Sequence, residues 1–182
     1  KYDLESLRAQ IGYVAQKAHM FKGSIRSNIC FGKPEASEEE MVHASSVAQA
    51  SDFISKRENG YLDEIAEDGT NISGGQKQRL SIARVILKKP SLYIYDDSFS
   101  ALDFKTDATL RKALKPEVKN AIFFVVAQRI STIMDSDMII VLDEGQIIGL
   151  GTHLELLKNC SVYQEIAHSQ LTQKELDDYE RN

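Results

Sequence analysis

Apolar residues gather in short runs at positions 11–15, 91–95, 121–127 and 138–142, and each run has the length of a strand. The first ends at Gln16, the second reads as a buried strand ending at Asp96-Asp97, and 121–127 is apolar throughout. Residues 147–150 follow the turn Asp143-Glu144-Gly145-Gln146 and pair back on 138–142 as a hairpin. Between these runs the period changes to that of a helix over 24–31, 37–47, 50–57, 73–87 and 104–114. In 73–87, Leu80, Ala83, Ile86 and Leu87 share one face, with Lys77, Gln78 and Arg84 off it, and Pro90 marks the end. Ser37-Glu38-Glu39-Glu40 and Thr152-His153-Leu154-Glu155 have the Ser/Thr-x-x-Glu form that caps a helix start reciprocally. The polar stretch 60–71 reads as loop, and the polar tail 172–182 as frayed or loosely helical.

Strand alternating with helix is the rhythm of a parallel α/β sheet, here interrupted by a helix-rich insertion over 18–87. Composition changes this picture little. Of 182 residues, 42% are hydrophobic and 27% charged, which suits a globular chain able to bury a core without disulfides or metals. Cys30 and Cys160 lie far apart in no ligand-like spacing and read as two incidental thiols. The net charge of −5 argues against wrapping nucleic acid or lying on an anionic membrane. No apolar run approaches the roughly 18–20 residues of a membrane-spanning helix. The chain opens at Lys1 directly into mid-domain sequence without a signal peptide, so it reads as a piece of a longer domain.

Candidate chemistry begins at Ser73-Gly74-Gly75-Gln76, at the start of the longest helix. Two glycines beside a helix N-terminus expose backbone N–H donors to the positive end of the helix dipole, and Ser73 and Gln76 add a hydroxyl and an amide. That combination suits a phosphate. Alone it reads more readily as a helix cap after a turn.

The run Asn71-Ile72-Ser73-Gly74-Gly75-Gln76-Lys77-Gln78-Arg79-Leu80-Ser81-Ile82-Ala83-Arg84 closely resembles the signature segment of ABC ATPases. Leu92-Tyr93-Ile94-Tyr95-Asp96-Asp97 resembles the family's Walker B strand, and Ser100-Ala101-Leu102-Asp103 its D-loop. Val125-Val126-Ala127-Gln128-Arg129 resembles the switch strand and loop, and Gln16 the Q-loop glutamine. Ser24-Ile25-Arg26-Ser27-Asn28-Ile29 with Gly32-Lys33-Pro34 resembles a segment of exporter-type members. These elements follow the family's order along nearly the whole chain.

The resemblance implies part of a P-loop NTPase (RecA-like) α/β core with a parallel sheet and an α-helical signature subdomain. On that reading residues 1–17 end the N-terminal core part, 18–88 form the helical subdomain, 89–170 return to the core, and 171–182 are tail. ATP and Mg²⁺ are the implied cofactors. Asp96 and Gln16 would serve Mg²⁺, and Gln16 would also reach the attacking water. Asp97 would stand at the base position and Gln128 at the switch. Ser73, Gly74, Gly75 and Gln76 would grip the γ-phosphate of ATP held by an opposite subunit, with Asp103 shaping the contact between the two sites. A transmembrane domain would dock on the helical region 18–59, with Met20, Phe21 and Phe53 as candidate contacts. The protein would work at the cytoplasmic face of the membrane, coupling ATP to export.

Three departures from the family pattern qualify this expectation. No Gly-x-x-x-x-Gly-Lys-[Ser/Thr] occurs, so the chain alone should bind ATP poorly, and the absent strands should leave a sheet edge open. Asp97 stands where the family has glutamate, and Gln128 where it has histidine. The signature departs only at Ile72, where leucine is usual. A hydrolysis-impaired own site with a sound signature suits the degenerate side of a heterodimer. Alternatives are a soluble ABC ATPase acting on DNA or ribosomes, disfavoured by the acidic charge and the 24–34 segment, or a non-hydrolysing nucleotide-sensing module.

Overall fold

A computed structural model describes residues 3–172, so the expectation of a frayed or loosely helical tail over 173–182 lies outside the described residues. Asp3 opens α1 (Leu4–Ala9) by accepting from the backbone of Glu5 and Ser6, a helix that the residue pattern did not announce. β1 (Ile11–Val14) follows at once. β2 (Gly23–Ser24) leads into α2 (Ile25–Ile29), capped by Ser24. The capping box at Ser37 forms as expected and starts α3 (Glu38–Val47). α4 (Ser51–Ile54) is shorter than its pattern. The expected loop over 60–71 contains β3 (Glu64–Ile65), a two-residue strand antiparallel to β2 and too short to carry a period.

α5 (Gly74–Lys88) is the long helix, ended by Lys89 in the left-handed conformation ahead of Pro90. It is buried more widely than one stripe: Ser81, Ile82, Val85 and Gln78 join the apolar positions inside. Gln78 thus corrects the sequence reading. It is 1% exposed because its amide donates to the Ala15 carbonyl at 3.1 Å, a partner 63 residues away. β4 (Leu92–Asp96), α6 (Phe104–Glu117) and β5 (Ile122–Val126) follow. α6 runs past its expected end at 114 to Glu117 with Pro116 inside it, which forgoes the hydrogen bond that an N–H at 116 would make one turn back.

β1, β4 and β5 form a parallel sheet in that order, with Ile11, Leu92 and Ile122 in register. One face carries Gly12, Val14, Tyr93 and Tyr95 into the core. The opposite face leaves Tyr13, Ile122, Phe124 and Val126 exposed. Among the described residues β5 pairs with no strand but β4, consistent with the open edge expected above.

This compact unit ends at Val126, and a second begins at Ala127. The second holds α7 (Ile130–Ile133), the hairpin β6 (Ile139–Asp143) and β7 (Gln146–Gly151), α8 (His153–Asn159) and α9 (Ser161–Gln170). Glu144 and Gly145 both have positive φ, as a two-residue turn matching strand twist requires. Ile130, Ile139, Val141, Leu156 and Tyr163 form its core. There His153 Nδ1 meets the Tyr163 hydroxyl at 2.7 Å, and burial lowers the histidine's pKa.

α5 crosses β1 at close range. A Cβ on Gly12 would lie 2.5 Å from Val85 Cγ1 and 2.7 Å from Pro90 Cγ. Gly12→Ala is therefore expected to destabilise the first unit by about 1–3 kcal/mol through overpacking. A denaturant titration would register this as a lower midpoint; an unchanged midpoint would mean that the helix gives way freely.

Candidate functional site

Parallel pairing of β1 with β4 brings their carboxyl ends together, where open α/β sheets bind ligands. Gln16, just beyond β1, donates from Nε2 to Asp97 Oδ2 at 3.0 Å. The Gln16 Oε1 makes no hydrogen bond among the described residues and stays available as an oxygen donor. Asp97 is 9% exposed and has φ 45°. Asp tolerates this left-handed conformation better than most residues. Its N–H donates to the Val126 carbonyl at 2.9 Å, and its own carbonyl accepts from Ser100 Oγ at 2.7 Å, so the backbone is held on two sides.

Asp96 ends β4 half-buried and accepts from the Tyr13 hydroxyl at 2.8 Å. That bond raises the phenol pKa, so Tyr13 is a donor at neutral pH. Tyr13 escaped the sequence reading. The signal was there in principle, since an outward tyrosine on a strand flanking the Asp96 strand can reach its carboxylate only if the two strands are neighbours. Asp96 and Gln16 Oε1 are the oxygen donors that a hard cation prefers. Mg²⁺ typically takes one or two protein oxygens and fills the rest of its shell with water and phosphate. The donor set fits that pattern, and among the described residues no cluster of three or more His, Cys, Asp or Glu forms a dedicated metal cage.

Ser73 and Gln76 sit at the N-terminus of α5 in a capping box. Ser73 Oγ accepts from the Gln76 N–H at 3.2 Å, and Gln76 Oε1 accepts from the Ser73 N–H at 3.0 Å. Both bonds use the acceptor side of each group, leaving the Ser73 O–H and the Gln76 NH₂ to donate elsewhere. A Cβ on Gly74 would meet nothing within 4 Å, whereas one on Gly75 would press the Ala101 carbonyl at 3.3 Å. Packing therefore explains the second glycine and not the first.

The turn is braced from behind. Arg79 donates to the carbonyls of Gly75 at 3.3 Å and Gln49 at 2.8 Å, with its guanidinium 4.9 Å from the Phe53 ring centroid. Lys77 Nζ donates to the Asp68 carbonyl at 2.7 Å. Asp103 caps α6, taking the Thr106 N–H at 3.0 Å and hydroxyl at 2.7 Å, and these bonds lower its pKa.

Gln128 belongs to the second unit and is exposed. Its carbonyl accepts from Gln170 Nε2 at 2.9 Å, while Gln170 Oε1 accepts from the Ile130 N–H at 2.9 Å. One glutamine on α9 thus brackets the loop, a contact across 42 residues that sequence reasoning missed. Of the three aromatic or sulfur candidates for docking, Met20 and Phe53 are core residues, 3% and 8% exposed. Phe21 is 45% exposed and stacks on Phe31 at 4.3 Å, with Arg84 against both rings.

The family profile described as ABC transporter matches residues 1–100. The uncharacterized ABC transporter ATP-binding protein YknU of Bacillus subtilis is 44% identical over 91% of this chain and 28% of its own length. The putative multidrug export ATP-binding/permease protein YgaD of the same species is 44% identical over the same shares, 91% and 28%. Among solved structures, a bacterial Atm1-family ABC exporter with ATP bound superposes with a TM-score of 0.89 at 37% identity, over 93% of this chain and 30% of that one. This chain spans less than a third of each. With motif order, parallel sheet and family profile in agreement, the chain belongs to the ABC transporter family, within its ATP-binding part.

Proposed function

We propose that the chain is the signature-bearing part of an ATP-binding subunit of an exporter, and that Ser73–Gln76 completes an ATP site whose other half lies on a partner subunit. The observation that carries this reading is the capping box that leaves two donors unspent beside an empty space at Gly74. Backbone N–H groups at the start of α5 add donors and the positive end of the helix dipole, an arrangement made for terminal phosphate oxygens. Relatives named as export proteins, together with the exporter neighbour, support the direction of transport. The subunit then acts at the cytoplasmic face of the membrane, held there by a transmembrane partner. No helix among the described residues is long and apolar enough to cross a membrane. The exposed Phe21–Phe31 stack, on the helical region, is the surface offered to that partner.

In this subunit's own site, Asp96 and Gln16 Oε1 would hold Mg²⁺, which when bound neutralises charge on the β- and γ-phosphates. Gln16 also holds Asp97 in place through Nε2. Asp97 would be the carboxylate that takes a proton from water, but it is one methylene shorter than glutamate, a setback of about 1–1.5 Å that can cost on the order of 10²-fold in rate. Gln128 can hydrogen-bond a phosphate yet accepts no proton. Both changes favour holding nucleotide over hydrolysing it, as in the slow half of a heterodimer. The open sheet face and the β5 edge are where a P-loop-bearing segment would pack in the complete protein.

Gly74→Ala separates ligand space from folding. Because its Cβ meets no protein atom, thermal stability should hold or rise slightly, by up to about 1 kcal/mol. ATP turnover of the assembled transporter should nonetheless drop at least about tenfold, because the methyl enters the phosphate position. Unchanged turnover would refute a phosphate at this turn. Restoring Asp97→Glu with Gln128→His, in a transporter whose partner site is inactivated, should raise turnover at this site up to about 10²-fold. No gain, together with a fully active homodimer, would contradict the degenerate-site assignment.

A further inference from the structure

We propose that Tyr13 is a positioning residue for the divalent metal, fixing the Asp96 carboxylate so that its second oxygen faces the metal's water shell. The inference rests on the reading of Asp96 as the metal-side carboxylate and adds a residue that neither the motif pattern nor the comparisons assign. β1 and β4 pair in parallel with Tyr13 opposite Ile94, and side chains two residues apart on a strand share a face. Tyr13 therefore meets Asp96 diagonally across the ladder, its hydroxyl donating to Oδ2 at 2.8 Å.

Tyr13 is 53% exposed, so its phenol has water within reach. The partner it takes instead is a carboxylate 83 residues away in the chain. Among the described residues no other side chain hydrogen-bonds Asp96, since the Gln16 amide is committed to Asp97. Without Tyr13 the Asp96 side chain, half-exposed at a strand end, would rotate freely. With it, Oδ2 is occupied and Oδ1 points onward in one orientation. Partners of this kind, one bond behind the metal, commonly contribute 10–100-fold to metal affinity.

The test uses the complete transporter loaded with a non-hydrolysable ATP analogue, with Mn²⁺ standing in for Mg²⁺ and free Mn²⁺ counted by electron paramagnetic resonance. Tyr13→Phe keeps the ring and removes only the donor. It should raise the Mn²⁺ dissociation constant about tenfold while leaving metal-free nucleotide affinity and the melting temperature unchanged. In an Asp96→Asn background, the residual Mn²⁺ binding should not respond to Tyr13→Phe, because the carboxylate being positioned is gone. An unaltered Mn²⁺ affinity in Tyr13→Phe overturns the proposal. So does an equal loss in both backgrounds, which would mark a packing role. If the parent protein with nucleotide holds no Asp96-dependent Mn²⁺, the functional reading falls and this inference with it. Asp96-dependent binding indifferent to Tyr13 removes this inference alone.

Discussion

The register in which β1 lies against β4, Tyr13 opposite Ile94 and Val14 opposite Tyr95, decides what the carboxyl end of the sheet can do. It sets Gln16 beside Asp97 and lets Tyr13 reach Asp96, joining residues more than 80 positions apart in the chain. A slip of one residue would turn Tyr13 into the core and Val14 outward, because side chains alternate along a strand. The register is held from several directions. Gly12 admits Val85 and Pro90 at a distance no side chain would allow, Lys88 Nζ donates to the Arg8 and Ile11 carbonyls, and Gln78 holds the Ala15 carbonyl. All four of these residues from the far side of the sheet belong to α5 or the turn after it.

The same helix carries the Ser73–Gln76 turn at its other end. Its N-terminus presents Ser73–Gln76, its middle grips the segment before Gln16, and its last turn clamps the start of β1. Arg79 and Arg84 extend the connection outward, to the α3–α4 junction and to the Phe21–Phe31 stack. Burial lowers the pKa of both guanidiniums, yet each keeps its hydrogen bonds to carbonyls, so charge and packing work together. A displacement at the aromatic surface and one at the Ser73–Gln76 turn therefore share one helix, as the proposed coupling of nucleotide to transport would require.

The elements with strong local signals could be read directly. Three capping boxes form where Ser37, Ser73 and Thr152 stand, and Gly145 suits the hairpin turn, although Glu144 before it also takes a positive φ that favours Gly, Asn or Asp. What escaped were features decided by tertiary partners. Gln78 is polar by composition and buried by its carbonyl partner, and β2 and β3 hold each other over only two residues each. Resemblance named Gln16, Asp96, Asp97 and the signature, but not that Asp97 sits at positive φ with its backbone held by Val126 and Ser100. Nor could periodicity separate Phe21 on the surface from Met20 and Phe53 in the core, since Met20 and Phe21 lie in an irregular segment and Phe53 in a helix of four residues, too short for a full apolar stripe.

The proposed function makes the two ATP sites unequal: a sound signature would serve the partner's site, beside an own site that holds nucleotide and hydrolyses it slowly. Rapid-quench counting of phosphate released in the first turnover of the assembled transporter tests it most directly. The expected result is a fast burst from one of the two bound ATP molecules, with the other retained on the subunit carrying Asp97 and Gln128. Simultaneous hydrolysis of both at one rate would contradict it.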